Sequence, residues 1–162
     1  MTPAAAIRYL ATFLIYIVMT PAAANETDAM AEVLASNPPP AGVVFEIVGG
    51  DARSLNTAIE RAQRHIQKLR TKFPSIRVVV VSHGLEQFSL LQDRQADHPD
   101  LHQRVRRLVN DEGVPLQVCG AFADMTGVDS KQFIQDVQVL DAAPVQIEDY
   151  RARGYVVIEM EN

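Results

Sequence analysis

Apolar positions along the chain follow two alternating rhythms: short runs of consecutive β-branched residues, and longer stretches with a three-and-four spacing. The run VVFEIV (43–48) predicts a first strand ending at Gly49-Gly50-Asp51. Leu55, Ala58, Ile59, Ala62, Ile66, Leu69 and Phe73 then recur as one face of a helix, with Arg61, Arg64, Lys68 and Arg70 on its other faces. Pro74 closes that helix. IRVVVV (76–81) is nearly continuous β-branched sequence, the composition of a strand covered on both sides, and it ends at Ser82-His83-Gly84.

A polar stretch, LQDRQADHPD, leads to a helix with Leu101, Val105, Leu108 and Val109 on one face, stopped by Gly113. PLQVC (115–119) predicts a third strand running out into a glycine-marked turn, SKQFIQD a short helix and VQVL a fourth strand. Residues 144–153 predict a last helix, capped by Gly154, and YVVIEM a fifth strand. Strands alternating with helices predict an α/β fold with a mostly parallel sheet and helices on both faces.

The N-terminus changes the compartment. Arg8 precedes an uncharged apolar run over 9–19, followed by Pro21 and Ala22-Ala23-Ala24, the order of a secretory signal peptide. The run is short for a permanent span, which needs about 20 apolar residues. Cleavage is expected after Ala24, with a retained anchor as the alternative. The expected organisation is therefore a signal peptide over 1–24, a polar and Pro-rich leader over 25–42, and one α/β domain over 43–162. Within the leader, 28–35 carries a short helical pattern and SNPPPAG reads as an extended spacer. A periplasmic or secreted protein follows, with no stable membrane span once cleaved.

Charge narrows the partners. The chain has 15 Lys and Arg against 20 Asp and Glu. Removal of 1–24 takes away Arg8 and no acid, so the mature formal charge is −6 against −5 for the whole chain. That balance gives no footprint for nucleic acid. A single cysteine, Cys119, excludes an internal disulfide and a Cys-rich zinc site.

In open parallel sheets, ligands bind beyond the carboxyl ends of the strands. Gly49-Gly50, Ser82-His83-Gly84 and Cys119-Gly120 fall at three such ends and converge on one rim if the strands are neighbours. Gly49-Gly50 is either a close approach of backbone amides to an anion or a tight turn with Asp51 as N-cap. His83 is either an acid, base or thiolate partner, or a turn histidine bonded to backbone. Cys119 is either a displayed nucleophile or a small buried residue, and no Lys or Arg occurs between Val114 and Asp129 to support a thiolate. His65, His98 and His102 read as surface residues. His83 and Cys119 are too few ligands for a closed zinc site, and no metal or other cofactor is expected.

The stretches VVVVSHG, GVPLQVCGAFADMTGV and DVQVLDAAPVQIEDYRARGYVVIEM give the chain a further feature. Over 43–160 it resembles the DsrE/DsrF-like family of small sulfur-metabolism proteins, which shows a similar strand ending in His-Gly, a Gly-Val pair before the cysteine strand, and a final Gly-Tyr strand. The resemblance implies a three-layer α/β/α sandwich with a five-stranded, largely parallel sheet. It implies assembly with itself as a trimer or hexamer, or with related subunits, and contact with a sulfur donor or acceptor protein. In sulfur-relay members the cysteine matching Cys119 carries a persulfide, so Cys119 would be the sulfur acceptor. His83, Gly84, Gly49, Gly50 and Gly120 would be pocket residues. Relay members tend to have Arg-Gly where this chain has Thr126-Gly127, and they work mostly in the cytoplasm. The alternative is an oligomeric assembly module of the same fold with an inert, buried Cys119.

Overall fold

A computed structural model describes residues 25–160; the expected signal peptide lies outside the described residues. Five parallel strands form one sheet in the order β4-β3-β2-β1-β5. They are β1 (Gly42–Ile47), β2 (Val78–Ser82), β3 (Leu116–Cys119), β4 (Gln138–Leu140) and β5 (Tyr155–Glu159). The sheet is thus wholly parallel where the sequence predicted a mostly parallel one. Its neighbouring positions pair as Val44↔Val79, Val81↔Gln117 and Val44↔Val157.

The period of two along each strand sorts side chains to two faces. Val43, Phe45, Ile47, Val78, Val80, Leu116, Val118 and Ile158 join the larger core, whose helical side comes mainly from α2 (Ala52–Lys72) and α3 (Pro99–Arg106). The predicted α2 face packs as expected, with Leu55, Ala58, Ile59, Ala62, Ile66 and Leu69 all buried. Asp51 caps this helix with a reciprocal Ser54 pair, and the Ser54 amide holds the Asp51 carboxyl below its usual range. On the opposite face Val44, Val79, Val81 and Cys119 pack against Ala143, Ile147 and Tyr150 of α5 (Ala143–Ala152). The return from β4 across the sheet to β5 places α5 there, as right-handed crossovers require when the chain reverses direction.

The short helix read over 28–35 is present as α1 (Glu26–Ala35), and its Met30 and Val33 enter the larger core. Three expectations are revised. Cys119 does not run into a turn: Gly120 starts α4 (Gly120–Met125), packed so closely on β4 that a Cβ there would lie 2.7 Å from the Leu140 carbonyl. The segment SKQFIQD keeps only a 3-10 turn at Ser130–Gln132, because Phe133 and Ile134 turn inward to the core. Two histidines expected at the surface are covered. His102 is 1% exposed and bonds the Ser89 carbonyl at 2.9 Å, while α1 lies over His65 and offers it Glu26 at 2.8 Å.

Candidate functional site

Because β1, β2 and β3 are neighbours, their three carboxyl-end turns do share one rim. What joins two of them is a residue the sequence reading missed. Glu86, in the 3-10 turn Leu85–Leu90, is fully buried and accepts three hydrogen bonds. Its Oε2 takes the Gly49 amide at 2.6 Å, and its Oε1 takes the Ser82 hydroxyl at 2.8 Å and the Gly84 amide at 3.0 Å. The anion facing the Gly49 amide is therefore the chain's own carboxylate. Gly84 allows this closure, since a Cβ there would sit 2.7 Å from the Gly49 carbonyl.

The next residue reaches the third strand. Gln87, also fully buried, accepts the Cys119 amide through Oε1 at 2.8 Å and donates from Nε2 to the Cys119 carbonyl at 3.4 Å. A side-chain amide thereby stands in for the strand neighbour that β2 no longer supplies. One short turn ties the ends of β1, β2 and β3 together.

Cys119 Sγ accepts a hydrogen bond from the Ala143 amide, the first residue of α5, at 3.4 Å. The positive end of a ten-residue helix thus faces the sulfur, in the region where the sequence offered no cation. Cys119 is 4% exposed, in an apolar cluster against which the partly buried Ala121, Phe122 and Leu140 pack. His83 lies on the same face as Cys119, two positions beyond Val81. Its Nε2 meets Glu46 Oε1 at 2.8 Å, and the other Glu46 oxygen lies 3.9 Å from Arg151. The sequence reading also missed Glu46, although it is the only polar residue in VVFEIV; nothing in the sequence marks Glu86 or Gln87 as buried.

Gly50 stands apart from these contacts. With Asp51, Arg53, Leu85, Phe88 and Arg94 it lines an open cleft of about 690 Å³ on the α2 side of the rim, which neither Cys119 nor His83 lines. Among the described residues no group of three or more His, Cys, Asp or Glu side chains is arranged to hold a metal ion.

No family model matches the chain, and no curated protein matches its sequence. Among solved structures it is similar to MTH1491, a protein of unknown function from Methanobacterium thermoautotrophicum, with a TM-score of 0.55 and 20% identity over 72% of this chain and 96% of that one. The ychN protein from E.coli is a second neighbour, with a TM-score of 0.49 and 14% identity over 73% of this chain and 97% of that one. The likeness to MTH1491 bears on the fold alone. The chain is an α/β protein with helices on both sides of a five-stranded parallel sheet, a fold it shares with MTH1491, and it carries one cysteine, free and buried.

Proposed function

We propose that this chain is an exported sulfur-handling protein in which Cys119 accepts a sulfane sulfur and carries it as a persulfide. The observation that carries the reading is the Ala143 amide donating to Cys119 Sγ at 3.4 Å. An N–H held against sulfur stabilises negative charge there, and both a thiolate and a persulfide carry that charge. The position at the carboxyl rim of a parallel sheet, where such folds place their ligands, supports it further. The working protein is proposed to be periplasmic and assembled with itself or with related subunits.

Intact-mass measurement of the mature protein, before and after exposure to polysulfide or thiosulfate, tests this. The expected result is a gain of about 32 Da per sulfur, reversed by reductant and absent from Cys119→Ser. An unchanged mass under every condition overturns it.

One observation favours a second reading. Cys119 is 4% exposed and packs with Val79, Val81 and Ile147, as an inert core thiol in an assembly module would. Native-state modification by a small alkylating reagent separates the two: protection throughout supports the module, and ready reaction supports the carrier.

A further inference from the structure

We infer that His102 is a pH-sensitive pin: a proton taken up there frees the turn Leu85–Leu90 from α3 and slackens the carboxyl rim that the turn ties together. The inference stands on the fold and not on the sulfur-carrier reading.

His102 lies in α3 between the buried Leu101 and Val105, and it is 1% exposed. Its Nε2 meets the Ser89 carbonyl at 2.9 Å, and a carbonyl only accepts, so this nitrogen carries the hydrogen of the neutral ring. Nδ1 is the bare nitrogen, buried and without a partner among the described residues. A second proton has to land on it. The result is a buried N–H with no acceptor and a charge in an apolar setting, which is costly in place and cheap in water. The Ser89 bond itself survives protonation, since Nε2 still donates. Relief comes only when α3 and the turn part and water reaches the ring.

Neighbouring charges do not remove this penalty. His98 at the N-cap of α3 and Arg106 in its last turn both oppose a further positive charge. Asp136, ahead of β4, favours it, yet that carboxylate already takes the Asn110 side-chain amide at 2.9 Å and lies 3.6 Å from Arg106. The turn presents the Ser89 carbonyl, and its one acid, Glu86, is held by Gly49, Ser82 and Gly84. Desolvation outweighs the favourable contacts, so the folded ring binds a proton less readily than a free one.

The turn that His102 holds is the one on which the rim depends. Ser89 follows Glu86 and Gln87 directly. Glu86 takes the Gly49 and Gly84 amides and Gln87 the Cys119 amide, so three strand ends rest on where the turn lies. The open cleft is lined by Leu85, Phe88 and Ser89 of the turn and by Pro99, Asp100 and Leu101 of α3. His102 bonds one lining to the other, and parting them opens the cleft as well. The open state takes up its proton near the ordinary value of 6.5 and the closed state only below it. Opening is therefore indifferent to pH above that value and favoured as pH falls through it, by at most about tenfold per pH unit.

Native-state hydrogen exchange of the mature chain tests this, followed from about pH 7.5 to about pH 5 and corrected for the intrinsic exchange rate at each pH. The Gly49, Gly84 and Cys119 amides report the rim, and those of Ala58, Ile59 and Ala62 on the buried face of α2 report complete unfolding. In wild type the opening constant at the rim is expected to rise about tenfold or more over this range. At pH ~5 the rim amides should also exchange about tenfold or more ahead of those in α2. His102→Gln still donates to Ser89 and cannot titrate, so its rise is expected to shrink below about threefold, whereas His98→Gln keeps the rise. Equal protection of the rim and α2 at pH ~5 would make the opening global and overturn the proposal. A rise that survives His102→Gln or vanishes in His98→Gln overturns it too. Should His102→Gln fail to fold, wild type decides alone. A one-proton slope that begins near 6.5 supports the pin, and a rise that begins below about pH 5 belongs to carboxylates and overturns it.

Discussion

Gln87 closes on Cys119 from both sides, its carboxamide accepting the cysteine amide at 2.8 Å and donating to the cysteine carbonyl at 3.4 Å. Both groups belong to a residue where a strand becomes a helix, so neither has a ladder partner on that side. The cysteine backbone is thereby fixed while its sulfur meets α5.

Gln87→Met keeps the volume and removes both bonds, leaving the buried Cys119 amide without an acceptor. It is expected to lower stability by about 2–3 kcal/mol, measured by urea unfolding. A loss below about 0.5 kcal/mol would mean that water or a backbone shift replaces the clasp.

Glu86 and Gly84 form one joint with Gly49. Glu86→Ala strands three donors and is expected to cost about 3 kcal/mol or more, whereas Glu86→Gln retains an acceptor and costs less. Gly84→Ala forces a methyl against the Gly49 carbonyl and is expected to cost about 1–3 kcal/mol. Because both changes disturb the same contacts, the double variant should lose less than the two single losses together. Strict additivity in unfolding midpoints would count against a shared joint.

His102 makes stability depend on pH. Burial depresses its affinity for a proton, with Arg106 and His98 acting in the same sense and the Ser89 carbonyl and Asp136 opposing. Its Nδ1 is buried with no hydrogen-bond partner among the described residues. The unfolded chain therefore takes up this proton more readily than the native one. The contribution of the neutral imidazole is complete above the ordinary value of 6.5 and is lost as pH falls below it. His102→Gln keeps the donor to Ser89 and cannot titrate, so its unfolding midpoint should fall less than that of wild type between about pH 7.5 and about pH 5. Parallel slopes for the two proteins would rule the histidine out as the source.

Helix α1 belongs to the fold energetically. Met30 is 3% exposed within the larger core, and Glu26 at the first turn reaches Arg61 at 3.2 Å and His65 at 2.8 Å on α2. Met30→Ala is expected to cost about 2–4 kcal/mol in urea unfolding. A neutral result would show α1 to be dispensable.

The layered fold was legible because its signals are periodic. Four consecutive valines at 78–81 read as a strand covered on both faces, and the α2 stripe read as one helix face. The rim was legible only as three separate turns. Glu86 and Gln87 sit in LEQFSL, a segment with no regular period, so their complete burial depends on where the ends of β1 and β3 come to rest. His65 was misread because its cover, α1, comes from outside the domain, and a short helical pattern at 28–35 does not encode which face of α2 it will meet. The Ala143–Cys119 contact joins positions 24 residues apart through the β3–β4 crossover, and no local pattern encodes it.

The strand order sets a schedule for the newborn chain. Gly42 pairs with Tyr155, and the Met160 amide bonds the Glu46 carbonyl at 2.8 Å, so the first strand waits for the last. Until the C-terminal residues leave the ribosome, one side of β1 is an open edge, and the long loop enclosed by this pairing makes closure slow. The sheet thus has a delay in closing written into its topology, and a chain cut short before residue 155 is left with a sticky, unfinished sheet.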